Sequence, residues 1–379
     1  MIRIKSKEIC GILCLEPHKN KSCAVLKTML KRFHFFAGIL WLMLPILASG
    51  QYTDQINSNR PGMSIGAFAV GKNVIQAEAG FAFRKYQHQG YNLSTSQGLL
   101  SFLSLRWGFL FETLELTYEG SYMWDVQQNK MAGDPISTAR KGFMQNFLGL
   151  KFLFFDPFKN PDEVNVYSWK ANNGFKIKQL IPAVSLTAGV NYDPLKDNPY
   201  PFGDLFNDLY RPIFYQNLRQ PLDTEPRMSL RATLATQSHF LGTWVFVTNW
   251  NVHRILTDYL EKSYILTLTH TFHPLWSVYI ENQGIYSSIY QDTLLRLGAA
   301  YLYNNDLQIE ATLGSNLKDS PSQWFVNAGI SYRLDFHKDF ISAAEIQAKE
   351  AKKEERALKK SLRKTTKKEK KRARKARRN

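Results

Sequence analysis

Cysteine is nearly missing from this sequence: there are three in 379 residues, Cys10, Cys14 and Cys23. Their spacing has no His or acid placed to complete a metal site. Everything after residue 50 is thiol-free, which excludes disulfides and thiolate chemistry there. Long apolar runs are scarce as well. The one extended stretch, Phe35 to Leu47, is too short for a comfortable membrane-spanning helix. It follows Lys31-Arg32 and closes in Ala48-Ser49-Gly50, the form of a secretory signal cut between Gly50 and Gln51. No Cys stands at that cut, so a lipoprotein is not indicated. Residues 1–50 are expected to be leader and signal, with Met29 the expected start.

An even spread of charge is also lacking. The formal net charge is +17, yet residues 1–50 hold eight Lys/Arg against two acids, and residues 338–379 hold eighteen against six. The remaining middle carries 23 bases and 24 acids. The basic pI therefore belongs to the ends, and it gives no argument for nucleic-acid binding by the whole protein.

What the middle has in quantity is alternation. Twelve short segments of period-two hydrophobicity are expected as strands: 73–83, 97–107, 112–124, 141–154, 180–192, 226–237, 243–253, 262–272, 275–286, 293–303, 307–315 and 323–335. In the last, Trp324, Val326, Ala328, Ile330, Tyr332 and Leu334 share one face, while Asn327, Ser331, Arg333 and Asp335 share the other. An exported chain with amphipathic strands and no spanning helix is most simply an all-β, antiparallel, up-and-down transmembrane barrel. Aromatics near strand ends (Tyr118, Tyr122, Trp124, Trp244, Trp250, Tyr301, Tyr303) suit two interfacial girdles, although a soluble β-sandwich also uses aromatic strand ends.

Connector lengths agree. The turns 108–111, 238–242, 273–274 and 304–306 are short, whereas 84–96, 125–140 and 193–225 are long, the asymmetry of barrels with short periplasmic turns and longer outer loops. The connector 155–179 is an exception, read as a long periplasmic excursion or an uncounted hairpin. The loop 193–225, rich in proline and aromatics, is a candidate constriction or cap. The expected organisation is a periplasmic segment 51–72, a barrel 73–337 and a basic periplasmic tail 338–379.

Sorting by alternation sends Leu116, Leu230, Leu297 and Ile309 outward. The inward set holds the candidate pore-lining acids Glu78, Glu115, Glu119, Glu281 and Glu310 and the bases Arg106, Lys151, Arg231, Arg296 and Arg333. An Arg or Lys facing lipid at mid-depth would cost about 2–4 kcal/mol, which enforces that sorting. Acids and bases on opposite walls would make a transverse field that selects solutes. Paired directly, they would fill a narrow bore.

Asn59-Arg60-Pro61-Gly62 followed by Val74-Ile75-Gln76-Ala77-Glu78-Ala79-Gly80-Phe81 resembles the opening signature of outer-membrane transporters grouped under the phenol-degradation meta-pathway name and common in Bacteroidetes. Leu105-Arg106-Trp107-Gly108 with Leu114-Glu115-Leu116 is similar to their second hairpin. Leu148-Gly149-Leu150-Lys151-Phe152 and Gly329-Ile330-Ser331-Tyr332-Arg333 are similar to later strands. Asn59 stands where that signature usually has an acid, and the basic tail looks like an addition. The resemblance implies a β-barrel transporter in a Gram-negative outer membrane.

Asn327, Gly329, Tyr332 and Leu334 have the spacing of a terminal-strand signal for the barrel insertion machinery, one expected partner beside outer-membrane lipid. In the tail, Ser342 to Arg363 has helical composition, and Lys364 to Asn379 is almost purely basic. Such a tail is either simply solvated or fitted to peptidoglycan or an acidic periplasmic protein as partner, and nucleic acid is not expected. The histidines His239, His253, His270 and His273 suggest neither a triad nor a metal site. No enzyme activity, metal or cofactor is expected. The function read from the sequence is a passive outer-membrane channel for small polar or amphipathic solutes, with a non-conducting structural barrel tethered by its tail as the alternative.

Overall fold

The computed structural model describes residues 55–60, 62–89, 93–130, 134–158, 177–195, 198–200, 227–257, 260–288, 290–337 and 359–360. Twelve strands alternate up and down: β1 (Val74–His88), β2 (Ser94–Gly108), β3 (Leu114–Asn129), β4 (Ile136–Phe155), β5 (Ala183–Tyr192) and β6 (Met228–Phe240) make one half. The other half is β7 (Trp244–Ile255), β8 (Glu261–His273), β9 (Trp276–Ser287), β10 (Gln291–Asn304), β11 (Leu307–Asn316) and β12 (Ser322–Asp335). Each strand pairs antiparallel with the next, and β1 pairs with β12 from Val74 opposite Asp335 to Gln87 opposite Ser322. The barrel is closed, so no strand edge is left unpaired. Among the described residues no helix is long and apolar enough to cross a membrane, which says nothing of the strands.

All twelve expected strands are present, but all except β5 and β6 run further at their far ends than the sequence pattern indicates. β1 continues to His88 rather than 83, and the β3–β4 hairpin reaches Asn129 and Ile136 rather than 124 and 141. Cross-strand pairs there are polar, such as Gln87 with Thr95 and Gln128 with Ser137. Backbone ladders need no hydrophobic face, so alternation marks only the apolar belt, while the hairpins continue past it. The expected long loops 84–96 and 125–140 shrink accordingly. β4 pairs directly with β5, Phe147 opposite Asn191, so the 155–179 connector contributes no extra hairpin to the wall. Its residues 159–176 lie outside the described ones.

The outer surface is the apolar one. Leu103, Leu148, Leu234, Leu297, Ile309 and Ile330 are all exposed on it. Exposed Trp107, Trp276, Tyr303 and Tyr332 stand at the end carrying the short turns, and Trp124, Trp250, Tyr286 and Trp324 stand towards the other. An apolar band between two aromatic rings is what a bilayer imposes on a protein wall.

Closure depends on a close approach at the β1–β12 seam. Gly80 and Gly329 are opposite each other, and a Cβ on Gly80 would lie 2.3 Å from the Ala328 carbonyl oxygen and 2.6 Å from the Phe102 ring. Phe102, inward on β2, lies over both glycines. Its ring covers the surface that two missing side chains leave bare.

The largest departure from the sequence reading concerns the segment before β1. The sequence reading makes residues 51–72 a periplasmic segment. Residues 55–60 and 62–72 instead lie in the bore, entered at the short-turn end, where the Ile56 N–H donates to the Asn305 carbonyl at 2.8 Å. They return to that end at Lys72, whose N–H donates to Glu112 at 3.0 Å. Every buried N–H and C=O needs a partner, and the inward side chains of the barrel supply them. A turn-rich segment without alternation carries no periodic signal of being inside.

Candidate functional site

The lumen is organised around that inner segment. Side-chain amides of the wall grip its backbone as a neighbouring strand would. Asn249 on β7 accepts from the Ile65 N–H at 2.6 Å and donates to the Ile65 carbonyl at 2.8 Å. Gln237 on β6 accepts from the Ala67 N–H at 2.9 Å, and Gln308 on β11 donates to the Arg60 carbonyl at 3.1 Å. Glu281 on β9 accepts from the N–H groups of Met63 and Ser64 at 3.0 and 3.1 Å. Gly62 fits against this carboxylate because it has no side chain: a Cβ there would lie 2.6 Å from Glu281 Oε2.

The two halves of the opening sequence signature meet in space. Glu78 Oε1 accepts from the Ser58 hydroxyl and the Asn59 N–H, both at 3.2 Å, and from Gln76 Nε2 at 2.7 Å. Arg60 Nε stands 4.0 Å from Glu78 Oε2. Asn59, where the signature usually has an acid, accepts from the Gly66 N–H at 2.9 Å and so closes the turn of the inner segment.

The candidate pore-lining residues all lie on the inner wall, and most are buried. They do not form a transverse field of separated walls. Arg106 grips Glu115 on the adjacent strand through Nε and Nη2 at 2.7 and 3.0 Å, and Lys151 Nζ lies 3.9 Å from the same carboxylate. Arg296 pairs with Glu281, its register partner, at 2.8 Å. Adjacent strands hold these charges opposite one another or, for Arg106 and Glu115, on the diagonal, and direct pairing lowers their cost in a low-dielectric interior. Both Arg106 Nη2 and Lys151 Nζ also donate to the Phe68 carbonyl, at 3.2 and 2.6 Å.

The remaining candidates divide. Arg231 crosses the bore from β6 to Glu119 on β3 at 2.8 Å. Glu310 accepts from Gln308 and Ser331, each at 3.2 Å. Arg333 sits at the short-turn end, paired with Asp335 at 2.6 Å, apart from the others. Of the terminal-strand signal, Asn327 is buried inward, Gly329 is at the seam, and Tyr332 and Leu334 are exposed.

Above the inner segment lies a cavity of ≈ 280 Å³. Its floor includes Arg60, Met63 and Ser64, and its walls include Leu100, Phe102, Met144, Glu119, Arg231 and His253. Over it, the start of the loop after β5 folds inward. Tyr200 is fully buried in a cluster with Ala82, Tyr86, Leu100, Met123 and Met144. Its hydroxyl donates to Asp125, which also accepts from Ser96 and Arg140. Burial pushes the Tyr200 phenol up from its ordinary value, and the neighbouring Asp125 carboxylate adds to the shift. Burial likewise raises the Asp193 carboxyl, against the opposing effect of its bond with Asn198. The expected inward fold of this loop is thus seen at 198–200; residues 201–226 lie outside the described ones.

The histidines serve separate surroundings. His270 stacks on Trp244 with centroids 4.1 Å apart, and His273 Nδ1 accepts from the Leu275 N–H in the adjoining turn. His239 packs edge-on against Phe68 and Phe158. Among the described residues no three His, Cys, Asp or Glu side chains gather as metal ligands.

Sequence sorting by charge found the acids and arginines and missed the amides Asn249, Gln237 and Gln308. The available signal was an Asn or Gln at an inward position in mid-strand, where a group with both donor and acceptor can pair with backbone.

A closed cylinder of twelve antiparallel strands, apolar outside and polar within, defines a transmembrane β-barrel protein. The family model described as "Putative MetA-pathway of phenol degradation" matches residues 58–204 and 221–334. The chain belongs to that family, and the match takes in most of the inner segment. No curated protein matches the chain. Among solved structures it is similar to the COG4313 outer membrane channel from Pseudomonas putida F1, at 10% identity and TM-score 0.44, covering 74% of this chain and 100% of that one. It is also similar to the translocator domain of the autotransporter NalP from Neisseria meningitidis, at 7% identity and TM-score 0.40, covering 81% and 98%. A third is the KdgM porin, at 9% identity and TM-score 0.34, covering 68% and 99%.

Proposed function

We propose that this protein is a bacterial outer-membrane channel through which small polar or amphipathic solutes diffuse passively. Residues 55–72 act as its internal stopper, and the short-turn end with both termini lies in the periplasm. The observation that carries this reading is the kind of contact closing the bore. The segment is held by hydrogen bonds between its backbone and wall side chains, at Asn249, Gln237, Gln308 and Glu281. It belongs to no strand, so it can leave without breaking a ladder. Water would then satisfy the groups on both sides, and a lumen lined by polar side chains would remain. The chemistry is transport, with no catalytic step.

The alternative, a non-conducting structural barrel, draws support from Arg106–Glu115 and Arg296–Glu281, whose direct pairing fills part of the bore. In that reading the basic tail 338–379 attaches to peptidoglycan or an acidic periplasmic protein. Planar-bilayer conductance of the refolded mature protein separates the two. Brief openings that become frequent in the Asn249→Ala, Glu281→Ala double variant support the channel. A variant that stays sealed while correctly folded refutes it. Cell-wall pull-down with and without 338–379 tests the tether.

A further inference from the structure

We propose that the cavity above the inner segment is a binding site for small organic anions, which place a carboxylate on Arg231 and their hydrocarbon against Leu100, Phe102 and Met144. This deepens the channel reading and rests on it for why a solute enters the lumen at all.

Arg231 is more than nine-tenths buried, and it lines the cavity. Its guanidinium lies 3.6 Å from the centroid of the Phe147 ring, and Nη1 donates to Glu119 at 2.8 Å. The other edge, Nε and Nη2, is buried without a hydrogen-bond partner among the described residues. Those two N–H groups are side by side on a guanidinium, at the spacing of the two oxygens of a carboxylate. Arg106 in the same lumen shows what that edge does when filled, gripping Glu115 through the same two nitrogens. A buried charged donor pair without a partner calls for one.

The charge around the cavity favours an anion. Its walls carry Arg60, Arg84 and Arg231 against Glu78, Glu119 and Glu261. Two of these acids also face cations outside the cavity, Glu78 with Arg106 and Glu261 with Arg254, both at 3.8 Å. Glu119 is held by Arg231 and by Gln145 at 2.6 Å. Arg84 has no ion pair among the described residues; its Nη1 reaches only the Tyr86 hydroxyl, at 3.4 Å. Size agrees as well. At about 30 Å³ per water the cavity has room for roughly nine waters, or one single-ring acid. The apolar wall explains why the anion should be organic.

The test uses the full mature protein refolded in detergent micelles and titrated calorimetrically with benzoate and with benzamide, its neutral twin of the same shape. Benzoate should bind at least about tenfold more tightly, a fair value for a charge-assisted bidentate contact. Arg231→Gln should erase that difference by weakening benzoate alone, and Arg231→Lys, which keeps the charge without the fork, should fall between. Heat-modified gel mobility verifies folding. If Arg231→Gln does not fold, Arg84→Gln supplies the second reading: a several-fold loss for benzoate and none for benzamide. Equal affinities for the two ligands, no benzoate binding, or benzoate affinity indifferent to Arg231 or Arg84 would overturn the site. Binding is measured without flux, so a sealed barrel that still binds benzoate refutes the channel and leaves the anion site standing.

Discussion

Releasing the inner segment should be measurable from a single amide. Asn249→Ala removes two hydrogen bonds to Ile65, at 2.6 and 2.8 Å, and leaves every strand-to-strand bond in place. At about 1 kcal/mol net for each such bond, the seated state loses about 2 kcal/mol, which raises the released population roughly thirtyfold. The absence of cysteine after residue 50 makes the assay simple. Ser64→Cys places one thiol on the inner segment, buried at the floor of the cavity. A maleimide on a long polymer is too bulky for that cavity, so modification requires release. Where reseating outruns modification, the rate ratio between Asn249→Ala and its parent reads the population ratio directly. Asn251→Ala is the control, since Asn251 Nδ2 donates to Ser263 on the neighbouring strand. A rise of less than about threefold for Asn249→Ala, or an equal rise for Asn251→Ala, would refute the reasoning from which the estimate comes. Rapid modification in the parent itself would show that the segment is not seated.

Three other outcomes are expected. Glu115→Ala strips the nearest carboxylate from Arg106 and Lys151 together, and a loss of up to about 3–5 kcal/mol, that of a broken buried ion pair, should appear in urea unfolding from bilayers. In the same assay Leu297→Arg, exposed on the outer wall in the middle of β10, should cost about 2–4 kcal/mol, and Tyr303→Arg, exposed near the end of the same strand, much less. Gly80→Val should prevent barrel closure, seen as loss of the heat-modifiable folded band, because its side chain would collide with the Ala328 carbonyl and the Phe102 ring. Normal folding of that variant would remove the account of the seam.

Strand number and facing were legible because a bilayer imposes a strict period on the wall: Leu297 and Ile309 go out, Arg296 and Glu310 go in, and one slip would put charge in lipid. Strand ends were not, since beyond the bilayer Gln87, Thr95, Gln128 and Ser137 pair through backbone alone. The site was half legible. Acids and arginines could be placed on the inner face, but which of them paired depended on register, as with Arg296 beside Glu281. The inner segment was illegible for another reason. Nothing in Ser58, Asn59 or Gly66 has a period, and their role follows only from wall groups brought near them by closure.

Ser58 bonds to Glu78 on the first strand and to Ser331 on the last, at 3.2 and 2.8 Å. A clasp that spans both margins from inside steadies the junction where the first strand meets the last. Its departure would leave the backbone ladder to hold that junction by itself, so opening the bore and loosening the seam draw on the same bonds.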